Sequence, residues 1–183
     1  MPMRSADELR SLVEDGLAEH VPHADLQGLD AVVAASVEGG KRIRGALCLA
    51  VGEALGHEPE ELLPAALAVE LVHAFSLVHD DLPALDNDAT RRGRPSTWAQ
   101  YGEAVAVLAG DALLAEALRL ALSYDSPRVA RELVDATLGM IGGQYLDISG
   151  SQPDLAALNR LKTGRLFDAS VGMALEVARV PEG

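Results

Sequence analysis

A chain of 183 residues with a formal charge of −13 is long enough for one domain with a sizeable core. Its 15 Lys and Arg are outnumbered by 28 Asp and Glu, which excludes the broad basic face that nucleic-acid binding requires and predicts no nucleic-acid partner. Hydrophobic residues make up 49% and aromatics only 3%, an Ala- and Leu-rich mix that favours packed helices over a sandwich or barrel and predicts an all-α protein. The single cysteine, Cys48, cannot form an internal disulfide and reads as a buried thiol, in keeping with a reducing cytoplasm. The N-terminus has no apolar h-region, and no run approaches the roughly 20 uninterrupted apolar residues of a membrane span, so a soluble protein is expected.

Ser5 and Glu8 form a capping-box pattern, and Leu9, Leu12, Val13 and Leu17 follow at helical spacing, predicting a first helix over Ala6–Glu19 that Pro22 ends. A second apolar segment, LDAVVAASV, stops at Gly39-Gly40. KRIRGALCLAVGEALG predicts a third helix closing near Gly56, with Lys41, Arg42 and Arg44 in its first turn. Cations there oppose the helix dipole by about 0.3–1 kcal/mol each, a conflict that a nearby anion would remove. A plain solvated basic turn is the competing reading. A long apolar helix is expected from Glu60 to Asp81, with Pro64 in its first turn and Pro83 forcing the chain out. Beyond the loop RRGRPS, helical segments are expected over Trp98–Leu122, Pro127–Ile148 and Pro153–Val180, with no repeat or interdomain linker.

Asp80 and Asp81 close the long helix where the dipole disfavours carboxylates, and the break at Pro83 lets the loop bring Asp86 back towards them, with Asp88 following. Oxygen donors without a nearby thiol suit Mg²⁺, which takes one or two carboxylates, waters and substrate phosphates. Arg91, Arg92 and Arg94 would then meet the remaining phosphate charge. An acidic loop neutralised by its neighbouring arginines is the alternative. His73 lies seven residues before Asp80, on nearly the same helix face, whereas His79 is as easily a packed or surface histidine. Further along, GMIGGQYLDISG sets Gln144 and Asp147 three apart on one face, and LKTGRLF offers Lys162, Thr163 and Arg165 around a backbone loosened by Gly164.

In order, GGKRIRG, VHAFSLVHDDLPALDND, RRGRPS, AGDALL, GGQYLDI and KTGRLF resemble the motifs of the trans-isoprenyl diphosphate synthases, the polyprenyl synthetase family, over Gly39 to Phe167. The resemblance implies an antiparallel helical bundle of the isoprenoid synthase type around a deep cavity, and a homo-oligomer, at least a dimer. It implies a prenyltransferase that condenses isopentenyl diphosphate with an allylic diphosphate, dimethylallyl or geranyl. Mg²⁺ would be held by Asp80, Asp81 and Asp86, which with Arg91 and Lys162 form the implied catalytic set. Lys41, Arg44, His73 and Arg92 would bind isopentenyl diphosphate, while Arg91, Lys162 and Thr163 would contact the allylic diphosphate and Gln144 and Asp147 would line the cavity. Phe75, five residues before Asp80, would floor the product tunnel and favour a C15 over a C20 product.

Two departures from the pattern stand out. Gly45 occupies a position where the family usually has proline, and Asp154, Asp168 and Glu176 do not form a second D-D-x-x-D motif. The expectation is a single, partial synthase domain, incomplete on its C-terminal side. Three explanations stay open: a fragment of an active synthase, a short form completed by a partner chain, or a non-catalytic diphosphate-binding subunit or relic. A terpene cyclase fits less well, because GGKRIRG and His73 form an isopentenyl site that cyclases do not need. An open cavity wall would expose apolar surface at about 25 cal/mol per Å², so an oligomer that covers it is expected.

Overall fold

The computed structural model describes residues 3–21, 24–149 and 154–179. The expected boundaries at Pro22, Pro153 and Val180 lie outside them. Helix α1, Ala6–His20, starts at the predicted capping box: the Ser5 hydroxyl accepts the Glu8 N–H at 3.3 Å and the Glu8 carboxylate accepts the Ser5 N–H at 2.7 Å. It lays Leu9, Val13 and Leu17 into the core. A single 3₁₀ turn, Ala24–Leu26, leads to α2, Leu29–Val37, and then to α3, Ile43–Ala54.

Helix α4, Pro59–Asp80, runs through the middle of the bundle against α1, α2 and α3 and the three long helices that follow it. Leu62, Ala65 to Val69, Leu71 and Val72 are completely buried, as expected of a helix that is apolar on all sides. By length and composition α4 could cross a membrane, with a mean hydropathy of 1.6 over its best window, but 67% of that window is buried inside the fold.

Pro64 does not sit in the first turn of α4: the helix begins at Pro59, behind a capping box between Glu58 and Glu61, and even a start at Glu60 would leave Pro64 past the first turn. A proline one turn inside a helix breaks the hydrogen-bond ladder. Here Tyr124 repairs it: its hydroxyl accepts the Ala65 N–H at 3.1 Å and donates to the Glu61 carbonyl at 2.9 Å, bridging the pair that the helix would otherwise join directly.

After α4 the chain makes a short antiparallel hairpin, β1 (Thr90–Arg91) and β2 (Arg94–Pro95), in place of the expected open loop. Arg92 and Gly93 turn it with φ of 54° and 76°, the two positive angles of a type I′ turn, which suits the twist of paired strands. The segment expected as one helix over Trp98–Leu122 is two, α5 (Thr97–Tyr101) and α6 (Glu103–Ala121), parted by Gly102 at φ 90°. Helix α7 spans Pro127–Ile148 as expected. The last expected segment divides into α8 (Leu155–Asn159), a π turn over Arg160–Gly164 and α9 (Arg165–Ala178).

Packing is closest where α4 crosses α6, since a Cβ on Gly110 would lie 2.1 Å from Nε2 of His79. Helix α7 buries Val129, Leu133, Ala136 and Met140. Its opposite face exposes Val134, Leu138, Ile141, Tyr145 and Ile148, an apolar stripe spaced four and three residues apart. The repair of α4 yields a test. Tyr124→Phe removes both hydrogen bonds of the bridge and should destabilise the fold by about 1–2 kcal/mol in urea unfolding; an unchanged midpoint would refute the bridge.

Candidate active site

Helix α4 ends at Asp80, and the chain then folds back as the Pro83 break predicts. The N–H groups of Asp86 and Asp88 donate to the carbonyls of Asp80 and Asp81 at 2.9 and 3.0 Å, and Trp98 Nε1 donates to the Asp88 carbonyl at 2.9 Å. Asp86 is thereby returned close enough for its charge to act on Asp80. Burial, then repulsion from Asp86, pushes the Asp80 carboxyl up to about 6, against the pull of Lys162 and Arg91.

Asp81 has a different environment. It is 2% exposed, and the Arg91 guanidinium grips both its oxygens, with Nε at 3.0 and 3.1 Å and Nη2 closer still. Arg91 also lies 3.5 Å from Asp88. In this conformation Asp81 anchors the hairpin instead of joining its neighbours, and among the described residues no three His, Cys, Asp or Glu side chains converge to hold a metal. Asp80 and Asp86 nonetheless fit a hard cation that takes most of its ligands from water and phosphate: two carboxylates whose mutual repulsion a cation would relieve.

Beside Asp80 opens a largely apolar cavity of about 380 Å³, lined among others by Phe75, Leu85, Met140, Gln144, Tyr145 and Lys162. Phe75, 8% exposed, packs edge-on against His79 with ring centroids 4.9 Å apart. The side-chain amide of Gln144 is buried with neither nitrogen nor oxygen partnered, a cost that a polar ligand would remove. Lys162 is ion-paired with Asp147, across from the π turn, whereas Thr163 is exposed. Gly143 makes this packing possible, because a Cβ there would come within 2.9 Å of Leu161 and 3.0 Å of the Lys162 backbone; its neighbour Gly142 faces open space.

On the α3 side of α4 lies a second, cationic pocket of about 540 Å³ lined by Lys41, Arg42, Arg44, Glu70, His73 and Arg92. The helix begins after the basic residues Lys41 and Arg42, not before them. Arg42 is its N-cap, with φ 47° and 6% exposure, and spends its guanidinium on Glu14 and the Val37 carbonyl. Lys41 is exposed at the rim. Arg92 leans in from the hairpin turn and donates to the Gly39 carbonyl at 2.6 Å. Burial first, then the charges of Arg44, Arg92, Arg42 and Arg91, drive His73 down to about 3.

The residue profile of the polyprenyl synthetases matches residues 27–182. The chain belongs to the polyprenyl synthetase family. It is 40% identical over 181 residues to a geranylgeranyl diphosphate synthase of Cyanophora paradoxa and 39% identical over 184 residues to a farnesyl diphosphate synthase of Geobacillus stearothermophilus. These matches cover 90% of this chain and 60% and 61% of those proteins, so the chain spans about three fifths of the length of the curated relatives it matches. The crystal structure of a geranyltransferase from Legionella pneumophila superposes with a TM-score of 0.88 at 32% identity, covering 97% of this chain and 69% of that one. Helical architecture and fold agree with the isoprenoid synthase type expected from the motifs.

Seen against the polyprenyl synthetase pattern, Gly45 has a local reason. Its N–H donates to Oε1 of Glu70 at 2.9 Å, which proline could not do, and a Cβ there would stand 3.0 Å from the Ala66 carbonyl and from Val13. Glu70, 4% exposed, is the site residue that sequence reasoning missed. Its signal was available: a lone acid inside an otherwise apolar helix, three residues before His73 and on the same face.

His73 supplies a pH test. The folded chain keeps it neutral down to about pH 3, whereas the unfolded chain takes up its proton near 6.5, so its contribution to stability is present above 6.5 and is lost as pH falls from 6.5 towards 3. By NMR its ring should remain neutral at pH 5; titration near 6.5 would overturn the buried, arginine-ringed environment.

Proposed function

We propose that the chain carries out head-to-tail prenyl transfer, extending an allylic diphosphate, dimethylallyl or geranyl, with isopentenyl diphosphate. The observation that carries this reading is the placement of two unlike anion sites on one helix. Asp80 at the end of α4 faces an apolar cavity, and His73, seven residues and about 10.5 Å earlier, faces the cationic pocket. Asp80 and Asp86, joined by Asp81 if Arg91 released it, would hold Mg²⁺, whose charge would stabilise the leaving pyrophosphate.

The chain's own residues do the rest. Lys41, Arg44 and Arg92 bind the isopentenyl diphosphate, and neutral His73 donates a hydrogen bond to it. Arg91, Lys162 and Thr163 take the allylic diphosphate, with Lys162 leaving Asp147. The allylic C–O bond breaks to release pyrophosphate, the isopentenyl double bond forms the new C–C bond, and the resulting cation gives its proton to the departing pyrophosphate. The apolar walls formed by Phe75, Met140 and Leu85 keep water from the cation. Phe75 and Met140, both buried in the lining of the cavity, support a C15 product over C20.

A second reading, a diphosphate-binding subunit without turnover, draws support from the remaining acids. Asp154 caps α8, Glu176 is engaged by Arg128 and Arg179, and Asp168 is exposed. We also propose a homo-oligomer, at least a dimer, whose second copy covers the α7 stripe, and a cytoplasmic location. The single cysteine, Cys48, is a free buried thiol, in keeping with a reducing compartment.

Incubation with isopentenyl diphosphate, geranyl diphosphate and Mg²⁺ should give farnesyl diphosphate. Asp80→Ala should lower the rate at least ~10²-fold, and Phe75→Ala should lengthen the product. Magnesium-dependent binding without product would favour the subunit reading. Light scattering should show twice the chain mass or more; a stable monomer would refute the covered stripe.

A further inference from the structure

Arg44 is the least conventionally held cation of the second pocket. Its guanidinium makes no hydrogen bond or salt bridge among the described residues, and its Nε is buried without a partner. Burial pulls its pKa down, and the Glu70 charge opposes that pull. What it does touch is a ring: the guanidinium carbon stands 4.8 Å from the centroid of Phe167, on the first turn of α9. One residue on, the Gly45–Glu70 bond pins the backbone of α3. The side chain is therefore fixed by an aromatic face and by the helix that bears it, while its donors stay free.

We propose that Phe167 is a positioning residue for anion binding in the cationic pocket. Its π face holds the Arg44 guanidinium in place without using any of its N–H groups, so that the two Nη groups, which unlike Nε are not buried, remain for diphosphate oxygens. An acid in the same place would orient Arg44 equally well but would neutralise it and occupy its donors. Aromatic contact gives orientation while leaving the charge unspent. The proposal rests on the reading of this pocket as the isopentenyl diphosphate site.

The test is calorimetric titration of the full chain with isopentenyl diphosphate in the absence of Mg²⁺, comparing wild type with Phe167→Leu, Phe167→Tyr and Arg44→Gln. Phe167→Leu should weaken binding roughly fivefold, about 1 kcal/mol, while Phe167→Tyr, which keeps the π face, should stay within about twofold of wild type. Magnesium-dependent binding of geranyl diphosphate should be the same in Phe167→Leu and wild type. If Arg44→Gln binds isopentenyl diphosphate as tightly as wild type, the reading of the pocket fails and the proposal with it. Should Arg44→Gln bind weakly while Phe167→Leu matches wild type, the pocket stands and the role of Phe167 is refuted. Equal weakening by Leu and Tyr, in proportion to a loss of stability in urea, would also refute it, since a structural role predicts that pattern and a π contact does not.

Discussion

Burial of α4 is the constraint on which the other features depend. A 22-residue helix surrounded by its neighbours cannot shift without opening the core, so any polar group placed on it acquires a fixed position and a dry environment together. Glu70, His73 and Asp80 are such groups. Desolvation keeps His73 neutral and resists the ionisation of Asp80, and the same rigidity sets the distance between the two pockets they face. The helix serves as core and as ruler.

Charge is handled locally in a protein that is strongly acidic overall. Several cations near the site are already committed: Arg42 to Glu14 and the end of α2, Arg91 to Asp81, Arg94 to Glu38 and Lys162 to Asp147. Those commitments divide the basic residues into two kinds. Arg42 is buried and structural, and removing it would leave Glu14 and the Val37 carbonyl without their donor. Arg44 and Lys41 border open space with no carboxylate to displace, and Arg92 beside them is held by backbone carbonyls alone. Arg91 and Lys162 lie between these extremes, since each would have to release a carboxylate before it could meet another anion.

Much of this was legible in the sequence because the strongest signals are periodic or obligatory. The α1 capping box, the ends of α7 and the return of Asp86 after Pro83 follow from local rules that tertiary packing had no reason to override. Other features depend on contacts that a linear reading does not contain. Gly102 divides a segment that reads as continuous because glycine at φ 90° is decided by how α5 meets α2 and α6. Pro64 looked tolerable for the wrong reason: it lies beyond the first turn, and its rescue comes from Tyr124, 60 positions away. Asp81 reads as one of three equivalent carboxylates, yet its partner is chosen by the hairpin, whose type I′ turn places a non-glycine residue, Arg92, at positive φ. Phe167 and Arg44 lie 123 positions apart with no pattern linking them.

The hydroxyl of Tyr124 in the gap beside Pro64 ties two distant positions into one heritable unit. A proline without the hydroxyl leaves the ladder of α4 interrupted beside the buried Ala65, and the hydroxyl without the proline competes with a helix that can close on itself. Neither change is neutral alone, so the pair is expected to be kept or lost together as sequences diverge. That makes the joint identity of residues 64 and 124 a marker of descent for this form of the helix, independent of every residue that touches substrate.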